Sequence, residues 1–228
     1  MKPILGLALA GLLALTACTN DKQSVGSMVQ FSNIVRDQAL ARKAVKARAA
    51  TSTALTVTRD QLAGISAPLT RVRIEKTNTF SLLYVAQEKE GHRIWFSPDN
   101  VSLAMRAGVI DATRGLGHDL FAVEAPGLFA RLSTRVTTGS YTRIHSVLDG
   151  SNHIVKQAYT CRIIDKGPET VVILDRGHAT RHLVETCEGP AGTFANDYWQ
   201  GASDRAMWVS RQWLGPEIGH LFLERLIE

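Results

Sequence analysis

The chain has 228 residues, 45% of them hydrophobic and 21% charged, with 18 Gly, 7 Pro and 3 Cys. Length and apolar content suffice for one packed domain and exclude a wholly disordered chain, and no repeat of roughly 33 to 47 residues supports a solenoid. The formal net charge of +5 is spread along the sequence, which allows contact with anionic lipid or acidic polysaccharide and does not point to nucleic acid.

Met1 and Lys2 precede an apolar run over residues 4–15, which ends in Leu15-Thr16-Ala17-Cys18. This reads as a lipoprotein signal peptide over 1–17, because about a dozen apolar residues fall short of the roughly 20 that a spanning helix needs. Cleavage before Cys18 puts diacylglycerol on its thiol and an acyl chain such as palmitate on its amine. Buried methylenes at about 0.8 kcal/mol each make a lasting anchor in membrane lipid. The alternative is an ordinary secretory signal with Cys18 incidental. Thr19 stands where an Asp would signal retention in the inner membrane, so the expected location is the cell outer membrane, facing the periplasm. No other apolar run approaches 18 residues.

Residues 18–27 read as the lipidated Cys and a polar tether, and 28–228 as a single domain. From 28 to 50 the apolar positions Phe31, Ile34, Val35, Ala39, Val45 and Ala49 return near a period of 3.6, which predicts an amphipathic helix. Arg36, Arg42, Lys43, Lys46 and Arg48 on it form a solvated face or touch lipid headgroups. Beyond Thr51, short alternating segments are separated by turn residues. Strands are expected at 69–75, 81–87, 92–96, 131–136, 141–148, 153–164, 170–174, 180–187, 193–199 and 205–213, with turns at 166–169 and 175–177 among others. The expected fold is mainly β, an antiparallel curved sheet or sandwich with the N-terminal helix packed beside it.

With Cys18 lipidated, Cys161 and Cys187 remain in a compartment where disulfides persist. A bridge is expected, yet turns at 166–169 and 175–177 would put the two on strands separated by a third. Strand register or bridge must then give way. Zinc is the weaker alternative, since neither cysteine has CxxC or His spacing.

Among candidates for chemistry, His178 and His182 lie four apart but in a strand pattern without the HExxH glutamate, which argues against metal. Asp99, Asp111, Asp119 and Glu124 offer carboxylates for a glycosidase pair, without a spacing that brings any two together. No GxSxG elbow is present. No catalytic residue, metal or cofactor is therefore assigned. Tyr198, Trp199, Trp208 and Trp213 cluster with Arg205 and Arg211. They serve either as core or as a sugar-stacking surface with arginines complementing acidic sugars. In Ser210-Arg211-Gln212-Trp213, alternation points Arg211 and Trp213 to one face and Gln212 to the other.

Three segments together carry a resemblance. They are the lipobox Leu15 to Cys18, the central Arg106-Ala107-Gly108-Val109-Ile110-Asp111-Ala112-Thr113-Arg114-Gly115-Leu116-Gly117-His118-Asp119-Leu120, and Tyr198-Trp199 through Ser210-Arg211-Gln212-Trp213-Leu214-Gly215-Pro216. The chain resembles the YjbF/GfcB family of group 4 capsule polysaccharide lipoproteins. The resemblance implies a mainly antiparallel β fold and a non-enzymatic role in exopolysaccharide or capsule export beside an outer-membrane assembly protein. Arg114, His118, Asp119, Arg211 and Trp213 are the candidate contacts to partner or glycan. The rival functions are a periplasmic polysaccharide-modifying hydrolase and a lipid or lipoprotein carrier.

Overall fold

The computed structural model describes residues 57–228. Cys18, the tether and the helix expected over 28–50 lie outside the described residues. Alternating apolar side chains bounded by turns build β1 (Leu69–Ile74), β2 (Thr79–Lys89), β3 (His92–Phe96), β4 (Ser102–Arg106), β5 (Val109–Arg114), β6 (Leu120–Glu124), β7 (Tyr141–Leu148), β8 (Ile154–Ile173), β9 (Arg176–Gly189), β10 (Gly192–Gly201), β11 (Met207–Trp213) and β12 (His220–Ile227). They form one sheet in the order β5-β4-β3-β2-β1-β12-β11-β10-β9-β8-β7-β6, and its twist curls it into a nearly closed barrel. The first and last described strands are neighbours, with Leu69 opposite Ile227. The sheet edges are β5 and β6, which follow one another in the chain.

Every ladder between neighbouring strands is antiparallel, so alternate connections share an end. Residues 97–101, 115–119, 149–153, 190–191 and 214–219 gather at one end. At the other end Val57 packs with Leu69 and Leu226, and that end carries the β8–β9 turn. It also carries α1 (Pro126–Thr134), where a strand was expected at 131–136. Pro126 presets the first helical turn, and Leu128 and Leu132, four apart, share one buried face. That i, i+4 spacing outweighs the short alternation on which the strand expectation rested.

The second departure concerns the cysteines. Lys166-Gly167-Pro168-Glu169 is not a turn: β8 runs through it as a bulge between Asp165 and Gly167. Gly167 takes φ 106°, and its N–H donates to Asp165 Oδ1 at 2.8 Å. β8 thus pairs with β7 up to Cys161 and with β9 from Thr160 to Ile173. Cys161 stands opposite Cys187 with Cα atoms 4.0 Å apart, and the two are disulfide-bonded. The expected register gives way and the bridge stands. From Arg162 onward β8 has a ladder on the β9 side only. Its inner residues Val171 and Ile173 fold over the outside of the barrel against Val209, Leu226, Trp199 and Trp208.

The lumen is packed, with Leu83, Leu103, Ile110, Leu183 and Leu221 at its core. Among them lies a buried charge pair: the Arg143 side chain is 1% exposed and Glu185 fully buried. Arg143 Nη1 donates to Glu185 Oε2 at 3.0 Å and Oε1 at 3.3 Å. Tyr141 Oη donates to Oε1 at 2.9 Å, while Asn196 Nδ2 and Tyr198 Oη reach Oε2 at 2.7 and 2.9 Å. Burial opposes the Arg143 charge, but the Glu185 carboxylate outweighs it and keeps the guanidinium protonated. Across the lumen, Gln212 accepts from the Ile110 N–H and donates to the Gly108 carbonyl, pinning β5 to β11.

Two consequences are testable by urea denaturation at pH 7. Glu185→Leu, which strands the Arg143 charge, costs about 3–5 kcal/mol, and adding Arg143→Met recovers most of it. Reduction of the Cys161–Cys187 bridge, which spans 26 residues, costs about 3 kcal/mol.

Candidate functional site: a cleft at one mouth of the barrel

Between β5 and β6 there is no ladder, and side chains do its work. Arg114 on β5 donates to the carbonyls of Leu120 and Phe121 on β6, both at 3.2 Å, and lies 4.6 Å over the Phe121 ring. Thr113 Oγ1 accepts from the Leu120 N–H at 3.0 Å and donates to Asp119 Oδ1 at 2.7 Å. Asp119 also accepts the N–H groups of Gly115 at 2.9 Å and Leu116 at 3.2 Å. Gly115 itself sits at φ 91°, a conformation that β-carbons resist. The central segment is therefore the clasp that closes the barrel.

The clasp forms one wall of a cleft of about 480 Å³. Gly117, His118 and Asp119 face the 215–218 loop and Trp213, while β7 and β8 supply His145, Gln157 and Tyr159. Asp149 and Glu217 stand at the entrance, and among the described residues no lysine or arginine lines it. Trp213 is fixed by ring contacts at 6.3 Å with Phe194 and 5.0 Å with His220, and its backbone N–H donates to Asn196 Oδ1 at 2.6 Å. Tyr159 donates to Gln157 Oε1 at 2.9 Å. Backbone N–H groups of His153 and Ser151 hold the Asp149 carboxyl below its usual range.

His145 couples the cleft to the lumen. Its ring lies 5.2 Å from Tyr159 and 5.4 Å from Phe194, and its Nε2 accepts from Arg143 Nε at 2.9 Å. Burial, reinforced by the Arg143 charge, pushes its pKa down to about 3. The ring is neutral and carries its proton on Nδ1.

Of the expected contacts, His118, Asp119 and Trp213 meet in the cleft. Arg114 belongs to the clasp. Arg211 lies on the outer face, donating to Glu75 Oε2 at 2.8 Å and lying 2.9 Å from His220 Nδ1. The aromatic cluster disperses: Tyr198 is in the lumen, Trp199 stacks on His182 at 4.4 Å, and Trp208 stacks on His178 at 3.7 Å. The two histidines therefore have different partners, His182 being held by Asp197 at 2.8 Å and Glu169 at 3.3 Å. The carboxylates weighed for glycosidase chemistry scatter likewise. Asp99 accepts from Ser97, Glu124 pairs with Lys156, and Asp111 lies 3.0 Å from His92. Sequence reasoning missed His145, Gln157, Tyr159 and Glu217, which only the β7–β8 ladder and the 214–219 connection bring to one mouth.

A family model described as the group 4 capsule polysaccharide lipoprotein GfcB, YjbF, matches residues 38–226. Among solved structures, the hypothetical lipoprotein YmcC from Escherichia coli K12 is similar with a TM-score of 0.67 and 18% identity, over 92% of this chain and 98% of that one. At that identity the likeness is one of fold. No curated protein sequence matches.

Asp119→Ala removes three acceptor contacts from the clasp, so amide exchange at Gly115 and Leu116 should rise sharply while that of the β10–β11 ladder changes little; His118→Ala leaves both unchanged. His145 gives a pH signature. Its folded pKa of about 3 lies below the unfolded value, so the unfolded chain takes up a proton first. Stability falls as pH drops from about 6.5 toward 3, by up to about 1.4 kcal/mol per pH unit. His145→Gln, which keeps an acceptor for Arg143, removes that part of the slope in denaturation curves at stepped pH.

Proposed function

Because the chain belongs to the YjbF family of group 4 capsule polysaccharide lipoproteins, we propose that it is an outer-membrane lipoprotein, anchored through acylated Cys18 and facing the periplasm, that assists export or assembly of an extracellular polysaccharide. It acts by contact, holding glycan or an outer-membrane assembly protein at its cleft, and breaks no bond itself. The observation that carries this reading is the cleft, with Trp213 and Tyr159 beside hydrogen-bonding side chains. Among the described residues no helix is long and apolar enough to cross a membrane.

Two of the cleft carboxylates, Asp119 and Asp149, support contact over hydrolysis. A glycosidase needs one carboxyl held protonated beside a second. Here Asp119 is occupied by Thr113 and two backbone N–H groups, and Asp149 is held anionic by backbone N–H groups. The packed lumen, with Arg143, Tyr198 and Glu185 at its centre, likewise weighs against a lipid carrier, which needs an apolar cavity.

The test is secreted polysaccharide from a deletion strain complemented with the intact gene or with Cys18→Ala that retains a cleavable secretion signal. Output should fall on deletion and return only with the lipidated form. Unchanged output in every strain, where the parent makes polymer, would remove the polysaccharide role.

A further inference from the structure

Resting on the reading that this protein contacts polysaccharide, we infer that the cleft takes a glycan segment free of carboxylate groups, neutral or amino-bearing, and turns uronate-rich segments away. The lining supplies the aromatic ring of Trp213, which is in ring contact with Phe194 and His220. The apolar face of a pyranose ring stacks on such a surface. Around it are groups that bind hydroxyls or amines: Gln157, Asn152, His118 and the carboxylates of Asp149 and Glu217. A carboxylate accepts from two adjacent sugar hydroxyls at once or pairs with an ammonium, and it repels a second carboxylate.

Among the described residues, the cations near the cleft are engaged by other groups and do not line it. Lys76 reaches the same 214–219 connection but donates to the carbonyls of Pro216 and Glu217, at 3.1 and 2.9 Å. Arg114 is committed to the clasp and Arg211 to Glu75. Arg143 lies behind His145, saturated by Glu185. Among the described residues, the cleft lining therefore offers a ligand carboxylates and no lysine or arginine.

The experiment uses the lipidated protein in detergent micelles and the strain's own secreted polymer in two chemical forms. In one, uronate carboxyls are reduced to primary alcohols; in the other, primary alcohols are oxidised to carboxylates. The reduced form should bind in calorimetry, and the oxidised form at least about tenfold more weakly. Trp213→Ala should weaken binding of the reduced form about tenfold. Glu217→Lys, on an exposed loop and without burden on the fold, should narrow the preference by admitting the oxidised form. Three results overturn the inference: tighter binding of the oxidised form, indifference of binding to both substitutions, or no binding of either form. The last leaves the export role standing if output still depends on Cys18 in the complementation strains, so the two readings fail separately.

Discussion

A sheet that curls through twelve strands must join its two edges or leave two rows of unpaired backbone groups facing each other. Here the junction is made by side chains from one short stretch of chain. Arg114 satisfies two carbonyls of β6, Thr113 takes the Leu120 N–H, and Asp119 holds the turn between them. Charge-assisted contacts of this kind are stronger than neutral ones and need no regular register, so they tolerate the irregular approach of β5 to β6. The rest of the mouth depends on them. Were the clasp looser, the 115–119 connection would no longer stand opposite Trp213, and the cleft would lose one wall.

The lumen answers a different demand. A buried ion pair is a poor source of net stability, since desolvation offsets most of its attraction. It does impose an arrangement: Glu185 has five bonds to satisfy, from β7 and β10, and no shifted register satisfies them all. Arg143 then presents its Nε–H to His145, and the position of that ring at the cleft wall follows from the pair beneath it. A filled interior with one ordered polar chain leading to the mouth confines ligands to the rim.

Alternation was enough to read most strands from the residues, and it assigned Arg211 and Trp213 to the side opposite Gln212, which indeed turns inward to β5. It passed over the short β4, β5 and β6 and the C-terminal β12, and it failed where a longer period or a bulge intervened. Leu128 and Leu132 belong to a helix, and Gly167-Pro168, a turn signal by composition, passes within one strand because Asp165 caps the bulge. Proximity in sequence misled over the aromatic residues. Tyr198, Trp199, Trp208 and Trp213 are close along the chain, yet the pleat and the two barrel ends send them to the lumen, the outer face and the mouth. The cleft itself was half legible, through His118, Asp119 and Trp213. Its other half comes from His145, Gln157 and Tyr159 on β7 and β8 and from Glu217, set beside 117–119 and Trp213 by ladder pairing that no single sequence displays.

The overhang of β8 beyond β7 has a bearing on how the molecule resists association with other chains. From Arg162 to Ile173 one flank of that strand lacks a ladder among the described residues, and exposed Ile164 and Val172 would make it an inviting template for another chain. The same stretch carries Arg162, Lys166, Pro168 and the Asp165–Gly167 bulge, and each of these discourages an incoming strand by charge, by a missing N–H or by a break in the pleat. A segment that looks like a weak strand by composition is thus one that protects the molecule against edge-to-edge aggregation while its inner side chains cover the barrel wall.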